Sequence, residues 1–314
     1  GSIKHEVFTH FSHIVPSKAL MVFNDTQVIP SKLNGFLTKN ARPVEVLLIK
    51  ETTDENHWEA LIKGLSKLSP GTEVEFGSGE LKAILTSRQG DKAILKLMYK
   101  GKLDSILSRV GRMPLPPYIR RKINEDKNLS DQDRERYQTV FARYPGAIAA
   151  PTAGLHFTPQ IIESFKNNGI DTAYLTLHVG IGTFQPIRTE NITEHKMQAE
   201  QFYIPEDTLR ALVEAKKNAR NIVGIGSTTT RVLESTELST LKLGGISGQT
   251  DRFIYPGQKF EVVDHMLTNF HLPKSTLYLL VCAFAGKRLI EKAYKEAILR
   301  NYRFYSYGDA MLIL

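Results

Sequence analysis

Cysteine is almost missing from this 314-residue chain, where Cys282 stands alone. No disulfide framework can form within one chain, and a cysteine-cluster zinc site is excluded with it. Cys282 lies in the apolar run from Leu277 to Phe284 and reads as a small buried hydrophobe in a reducing compartment. An apolar stretch long enough to span a bilayer is also missing, as is a basic segment followed by an apolar h-region near the start. A soluble, cytoplasmic protein with no membrane partner is therefore expected. The chain lacks a Gly-x-x-x-x-Gly-Lys phosphate loop and a complete dinucleotide fingerprint, so nucleoside triphosphate chemistry and NAD binding lose ground. His195 and Glu200 are five apart, which denies them the shared helical face of a His-x-x-x-His pair, and no metal is expected.

What is present is a core-forming chain with 41% hydrophobic residues, enough for more than one domain. Lys and Arg outnumber Asp and Glu by 41 to 33, giving +8, a balance that favours a polyanionic partner. Ala19 to Asn24 reads as a strand, closed by the polar turn Asn24-Asp25-Thr26, where Asp25 either faces a ligand or only shapes an Asx-turn. Short strand candidates then crowd together at 44–49, 58–62, 72–76, 80–86 and 92–98, with Pro70-Gly71 and Gln89-Gly90-Asp91 as turns. That texture predicts a small β-barrel inserted at 36–109 into a large mixed α/β domain built from 1–35 and 110–314.

Leu103 to Val110 reads as a short helix. The segment Met113-Pro114-Leu115-Pro116-Pro117 after it is stiff and extended, and it gathers Arg112, Tyr118, Arg120 and Arg121. Such a strip suits a nucleic-acid backbone, or else is a solvated hinge. The mixed-charge run 124–136 reads as solvated surface. Beyond it, Thr158 with Pro159 signals a helix start and Gly169 its stop, with Ile161, Ile162 and Phe165 inward. Thr172 to Val179 reads as a strand, as does Arg252 to Tyr255. Helices are expected at 205–220, from Thr228 through Glu234, from Ser275 to Phe284 and at 288–301.

Polar groups converge between these apolar segments. Ala150-Pro151-Thr152-Ala153-Gly154-Leu155-His156-Phe157-Thr158 and Leu175-Thr176-Leu177-His178-Val179-Gly180-Ile181-Gly182-Thr183-Phe184 carry histidines, hydroxyls and glycines where charge is otherwise sparse. Buried polar groups are costly unless satisfied, and a bound ligand satisfies them. A helix starting just after His156 would hold its imidazole neutral. Thr268-Asn269-Phe270-His271 adds another such group, His271 being either a structural histidine or a ligand-facing one.

These segments, together with Val22-Phe23-Asn24-Asp25-Thr26, Val28-Ile29-Pro30, Pro114-Leu115-Pro116-Pro117-Tyr118-Ile119, Arg136-Tyr137-Gln138-Thr139 and Tyr302-Arg303-Phe304 with Ser306-Tyr307-Gly308-Asp309-Ala310-Met311, are similar to one family over nearly the whole chain. The chain resembles the S-adenosylmethionine:tRNA ribosyltransferase-isomerases of queuosine biosynthesis. Two departures stand out. The family pattern opens with an upstream segment containing Arg-Asp-x-Ser-Arg, and Gln198 occupies the second histidine position of the family's His-x-Met-His-x-Glu.

The resemblance implies transfer and isomerisation of the ribosyl group of S-adenosylmethionine onto 7-aminomethyl-7-deazaguanine at the tRNA wobble position, releasing adenine and methionine and leaving epoxyqueuosine. The reaction usually proposed begins with proton loss at the 5′ carbon beside the sulfonium. It implies His156 or His178 as base, with His195 and His271 also catalytic. Asp25, Thr152, Gly180, Gly182, Thr183, Thr228, Thr268 and Asn269 would bind the donor, and Arg231 its carboxylate. Arg112, Arg120, Tyr137, Gln138 and Arg188 would face a tRNA with a GUN anticodon, bound by a monomer. Two rival classes remain: a non-catalytic RNA-binding protein, and an S-adenosylmethionine-dependent RNA methyltransferase.

Overall fold

Residues 1–119, 127–180, 182, 187, 189–238 and 244–314 are described by the computed structural model. The chain is a mixed α/β protein that divides into two compact units. One comprises Gly1–Gln27, Gln138–Tyr144 and Ala150–Leu314; the other comprises Val28–Tyr137 and Pro145–Ala149.

The larger unit is built on a seven-stranded sheet. Its strand order is Ile246–Thr250, Glu200–Ile204, Asp171–Leu177, Leu20–Asn24, Ile222–Ile225, His265–Asn269 and Ala310–Ile313. The strands from Asp171–Leu177 to His265–Asn269 run parallel, and the outer pairings are antiparallel. Leu20–Asn24 is buried at every position, as a strand covered on both faces must be. Successive side chains serve opposite faces. Met21, Phe23, Val223, Ile225 and Leu267 pack with Phe11, Phe157 and Phe165, while Met266 joins Phe270, Leu280 and Ile290.

Helices fill the crossovers, and their ends match the sequence signals. Thr158 Oγ1 accepts the N–H of Ile161 at 3.3 Å to cap Pro159–Asn167, and Gly169 leaves that helix with φ +64°. Ser275 Oγ caps Thr276–Ala285 by accepting the N–H of Tyr278 at 3.1 Å. Glu206–Lys217, Ser227–Glu234 and Lys287–Leu299 fall within one to three residues of the expected bounds. The strand expected at 252–255 is displaced to Ile246–Thr250, which pairs from Glu200↔Thr250 to Ile204↔Ile246. The charge run 124–136 contains the helix Lys127–Arg136.

The smaller unit is a closed six-stranded barrel. Lys32–Leu37, Pro43–Glu51, His57–Ile62, Lys92–Tyr99, Leu81–Gln89 and Glu73–Phe76 pair in that circular order, each antiparallel to its neighbour. Its interior is aliphatic, with Leu33, Val46, Leu48, Val74, Leu81, Leu85 and Leu95 buried around Phe76. Closure leaves no free sheet edge to aggregate. The unit extends beyond 36–109 because Lys32 and Leu33 also pair with the two-residue strand Gly111–Arg112.

Candidate active site

Within the parallel part of the larger sheet the chain leaves Leu20–Asn24 toward one side, reaching Asp171–Leu177. It leaves Ile222–Ile225 toward the other, reaching His265–Asn269 after adding the edge strand Ile246–Thr250. Ligands of open α/β sheets lie where neighbouring strands diverge in this way, beyond their carboxyl ends. That rule places the crevice between Asn24-Asp25 and Gly226-Ser227-Thr228.

Asn24 staples one wall. Its Oδ1 accepts the N–H groups of Leu177 at 3.0 Å and Thr26 at 3.2 Å, and its Nδ2 donates to Leu177 O at 3.0 Å. Asp25 follows with 4% exposure, and its carbonyl takes the N–H groups of Arg143 at 2.7 Å and Tyr144 at 3.2 Å. Its Oδ1 accepts the Thr176 hydroxyl at 2.6 Å. Oδ2 accepts no hydrogen bond from any other described residue, and the residue's own N–H lends the carboxyl a further pull. Burial pushes this carboxyl above its ordinary range, against the pull of Thr176 and the charge of Arg143.

Gly226 turns the opposite wall with φ +92°, a conformation that excludes a strain-free side chain. The helix Ser227–Glu234 begins there, so its positive end faces the crevice. Thr229 and Thr230 spend their hydroxyls on Ile225 O at 2.8 Å and Gly226 O at 3.1 Å. Ser227 and Thr228 stand at the helix mouth. The 3-10 turn Thr152–His156 packs against the strand His265–Asn269. Phe157 anchors that turn, meeting Phe8, Phe11, Phe23 and Phe165 edge-on at 5.1, 5.3, 5.0 and 6.1 Å between ring centroids.

Three half-buried histidines surround these walls, and each has one ring nitrogen engaged. Asn269 Nδ2 lies 3.0 Å from Tyr305 O, which can only accept, and 3.2 Å from His156 Nε2. The amide nitrogen must donate to both, so His156 Nε2 accepts and Nδ1 carries the proton. Thr26 Oγ1 lies 2.8 Å from His178 Nδ1, and Thr268 Oγ1 lies 2.7 Å from His271 Nε2. Both threonines are essentially unexposed, at 0% and 1%, and neither hydroxyl has another partner among the described residues. A buried hydroxyl proton without an acceptor is costly, so each threonine donates to its histidine. Burial lowers the pKa of His156 and His178, and that of His271 to about 4. All three are neutral imidazoles with the proton on the ring nitrogen that this hydrogen bond leaves free.

The expected cation and glycine loop are tied to each other. Arg231, 2% exposed, donates through Nη2 to Glu200 Oε2, while Glu200 Oε1 accepts the Gly180 N–H at 2.8 Å. Gly180 thus spends on a carboxylate the N–H that the sequence offered to a ligand, and Arg231 already holds one anion. Its Nε and Nη1 are buried without partners among the described residues. Gly182 sits against Gln198, whose Cβ would lie 3.4 Å from a side chain placed on the glycine. His195 packs on the edge of Phe253 at 5.0 Å. Among the described residues no group of three or more His, Cys, Asp or Glu side chains is disposed to hold a metal ion.

Comparison with known proteins identifies this architecture. A sequence profile of the family described as "Queuosine biosynthesis protein" matches residues 1–313. The chain belongs to that family. The S-adenosylmethionine:tRNA ribosyltransferase-isomerase of Caldanaerobacter subterraneus subsp. tengcongensis is 44% identical, the alignment covering 100% of this chain and 90% of the relative. That of Halothermothrix orenii is 45% identical with the same coverage. The crystal structure of S-adenosylmethionine tRNA ribosyltransferase from Thermotoga maritima is 34% identical, with a TM-score of 0.51, covering 100% of this chain and 88% of its own.

Against the family's expected site, the structure gathers Asp25, Thr152, His156, His178, Thr228, Thr268, Asn269 and His271 on the carboxyl side of one sheet. Tyr137 departs from expectation: it is 0% exposed, so its ring is core and offers no face to a nucleotide. Gln138 is half-buried, and so is Arg112, in the strand Gly111–Arg112. Arg120, Thr183 and Arg188 lie outside the described residues. Sequence reasoning missed Thr26, Thr176 and Glu200, whose partners lie 152, 151 and 31 positions away. Each lies inside a segment that carries the family resemblance, Glu200 in the His-x-Met-x-x-Glu pattern, but nothing local to it names its partner.

Proposed function

We infer that this protein is an S-adenosylmethionine:tRNA ribosyltransferase-isomerase. It moves the ribosyl group of S-adenosylmethionine onto 7-aminomethyl-7-deazaguanine in tRNA and rearranges it to epoxyqueuosine, with loss of adenine and methionine. The observation that carries the reading is identity of 44–45% to such enzymes across the whole chain. The crevice fits the donor on its own chemistry. Asn269 is 1% exposed and its Oδ1 has no partner among the described residues, an acceptor suited to the amino group of adenine. Thr152, Thr228, Gly182 and Thr183 hold ribose oxygens, and Thr268 fixes His271 beside them. Neutral N–H donors at His156, His178 and His271 serve oxygen or purine-nitrogen acceptors, and His195 flanks the set. Arg231, whose charge Glu200 already shares through Nη2, is the cation proposed for the methionine carboxylate.

The acceptor is a tRNA with a GUN anticodon, approached by Arg112, Arg120, Gln138 and Arg188. The enzyme works in the cytoplasm as a monomer, its barrel an insertion in the α/β domain. Incubation with S-adenosylmethionine and tRNA bearing the aminomethyl base, followed by mass spectrometry, is expected to yield adenine, methionine and epoxyqueuosine in equal amounts. S-adenosylhomocysteine in their place would make the protein a methyltransferase, and no product at all would leave an RNA-binding module.

A further inference from the structure

We propose that Asp25 is the proton acceptor of the reaction, receiving the C5′ proton of the sulfonium donor on Oδ2, while the buried histidines serve as hydrogen-bond donors. The assignment rests on the ribosyltransferase reading and goes beyond it. A general base needs a lone pair facing the substrate. His156 has given its own to Asn269 Nδ2, His178 to the Thr26 hydroxyl and His271 to the Thr268 hydroxyl. Freeing any of them would strand a buried donor.

Among the described residues, the buried carboxylates of the larger unit are Asp25, Glu200 and Glu234. Glu200 has one oxygen on Arg231 and the other on the Gly180 N–H. Glu234 uses both oxygens on the N–H groups of Glu261, Val262 and Val263. Of these, only Asp25 keeps an oxygen that no other described residue claims, and it follows the strand Leu20–Asn24 where the parallel strands diverge. Thr176 holds the other oxygen, fixing the carboxyl plane. Desolvation strengthens the base, since the free carboxylate is less content than in water.

The step balances without any further reactant. A lone pair on Oδ2 forms the O–H bond as the C5′–H bond breaks, and the C–H pair remains on carbon beside the positive sulfur. Asp25 becomes neutral and the donor loses one unit of positive charge.

The test uses S-adenosylmethionine dideuterated at C5′ with the modified tRNA, reading deuterium released to water, adenine released, and donor affinity. Asp25→Asn preserves shape and can still accept from Thr176. It is expected to lose about a thousandfold in both releases, as removal of a general base does, with donor affinity within about threefold of wild type. Asp25→Asn that releases deuterium within about tenfold of wild type overturns the assignment. Should that variant fail to fold, Asp25→Ala with added formate replaces it: restored deuterium release supports the base, and a folded protein that formate does not rescue overturns it. Wild type that releases no adenine fails at the function itself, whereas an active wild type with an active Asp25→Asn fails only at the base.

Discussion

A carboxylate kept 4% exposed beside one hydroxyl charges the fold for its ionisation. Because burial raises the folded pKa of Asp25 above the 3.8 of a free side chain, the unfolded chain ionises first as pH rises. The cost is absent below 3.8, grows through the window up to the folded value, and stays in full at neutral pH. Asp25→Asn should therefore melt at a higher temperature than wild type at pH 7, and the gap should close on acidification below that window. Thermal scans of the pair across pH check this, and equal melting temperatures at pH 7 would contradict it. His271 carries the opposite sign. Its pKa falls from 6.5 unfolded to about 4 folded, so its contribution is present above 6.5 and is lost as pH drops toward 4. His271→Asn should flatten the pH dependence of stability there, by at most about 3 kcal/mol and by less to the extent that solvent reaches the half-buried ring. Urea titrations at pH 7 and pH 5 measure the difference; an unchanged slope would mean that the ring is solvated.

Elements differ in how far their own sequence announces them. Thr158-Pro159 and Ser275 marked helix starts because capping is a local contract between a side chain and an N–H three residues on. The barrel strands were legible from alternation and Gly-containing turns. Lys32–Leu37 was not, since Asn34 and Gly35 interrupt its apolar pattern. Gly35 is there for a partner far along the chain: a Cβ would lie 2.4 Å from Glu75 O. The candidate site divides likewise. Its residue types could be read in the chain, but the pairs Asp25–Thr176 and Thr26–His178 exist only because Leu20–Asn24 aligns with Asp171–Leu177 in parallel register, with Asn24 opposite Leu175. Glu234 shows the same dependence at the end of the helix Ser227–Glu234. It accepts the N–H groups of Glu261, Val262 and Val263 at 2.9, 3.0 and 2.8 Å, pinning the approach to the strand His265–Asn269. Glu234→Gln keeps the volume but turns one acceptor into a donor facing N–H groups. A loss of about 2 kcal/mol in denaturant unfolding is expected, and a neutral result would show that the approach is held by packing alone.

At the scale of the whole molecule, charge decides how the two substrates are met. The excess of 41 Lys and Arg over 33 Asp and Glu is spread along the sequence, whereas the site of the larger unit gathers hydroxyls, amides and neutral imidazoles around the one carboxyl of Asp25. An anionic polymer is drawn by the first and a small zwitterionic sulfonium is held by the second, so the two affinities must respond differently to salt. Each tRNA phosphate neutralised by a Lys or Arg releases condensed counterions on binding. With roughly five such contacts, raising potassium chloride from about 50 to about 200 mM should weaken tRNA binding on the order of a hundredfold. Binding of S-adenosylmethionine releases no such atmosphere and should change by less than about threefold over the same range. Filter binding for tRNA and calorimetry for the donor separate the two. A tRNA affinity as insensitive to salt as the donor's would mean that shape and base contacts carry recognition, and that the net charge of +8 has no part in it.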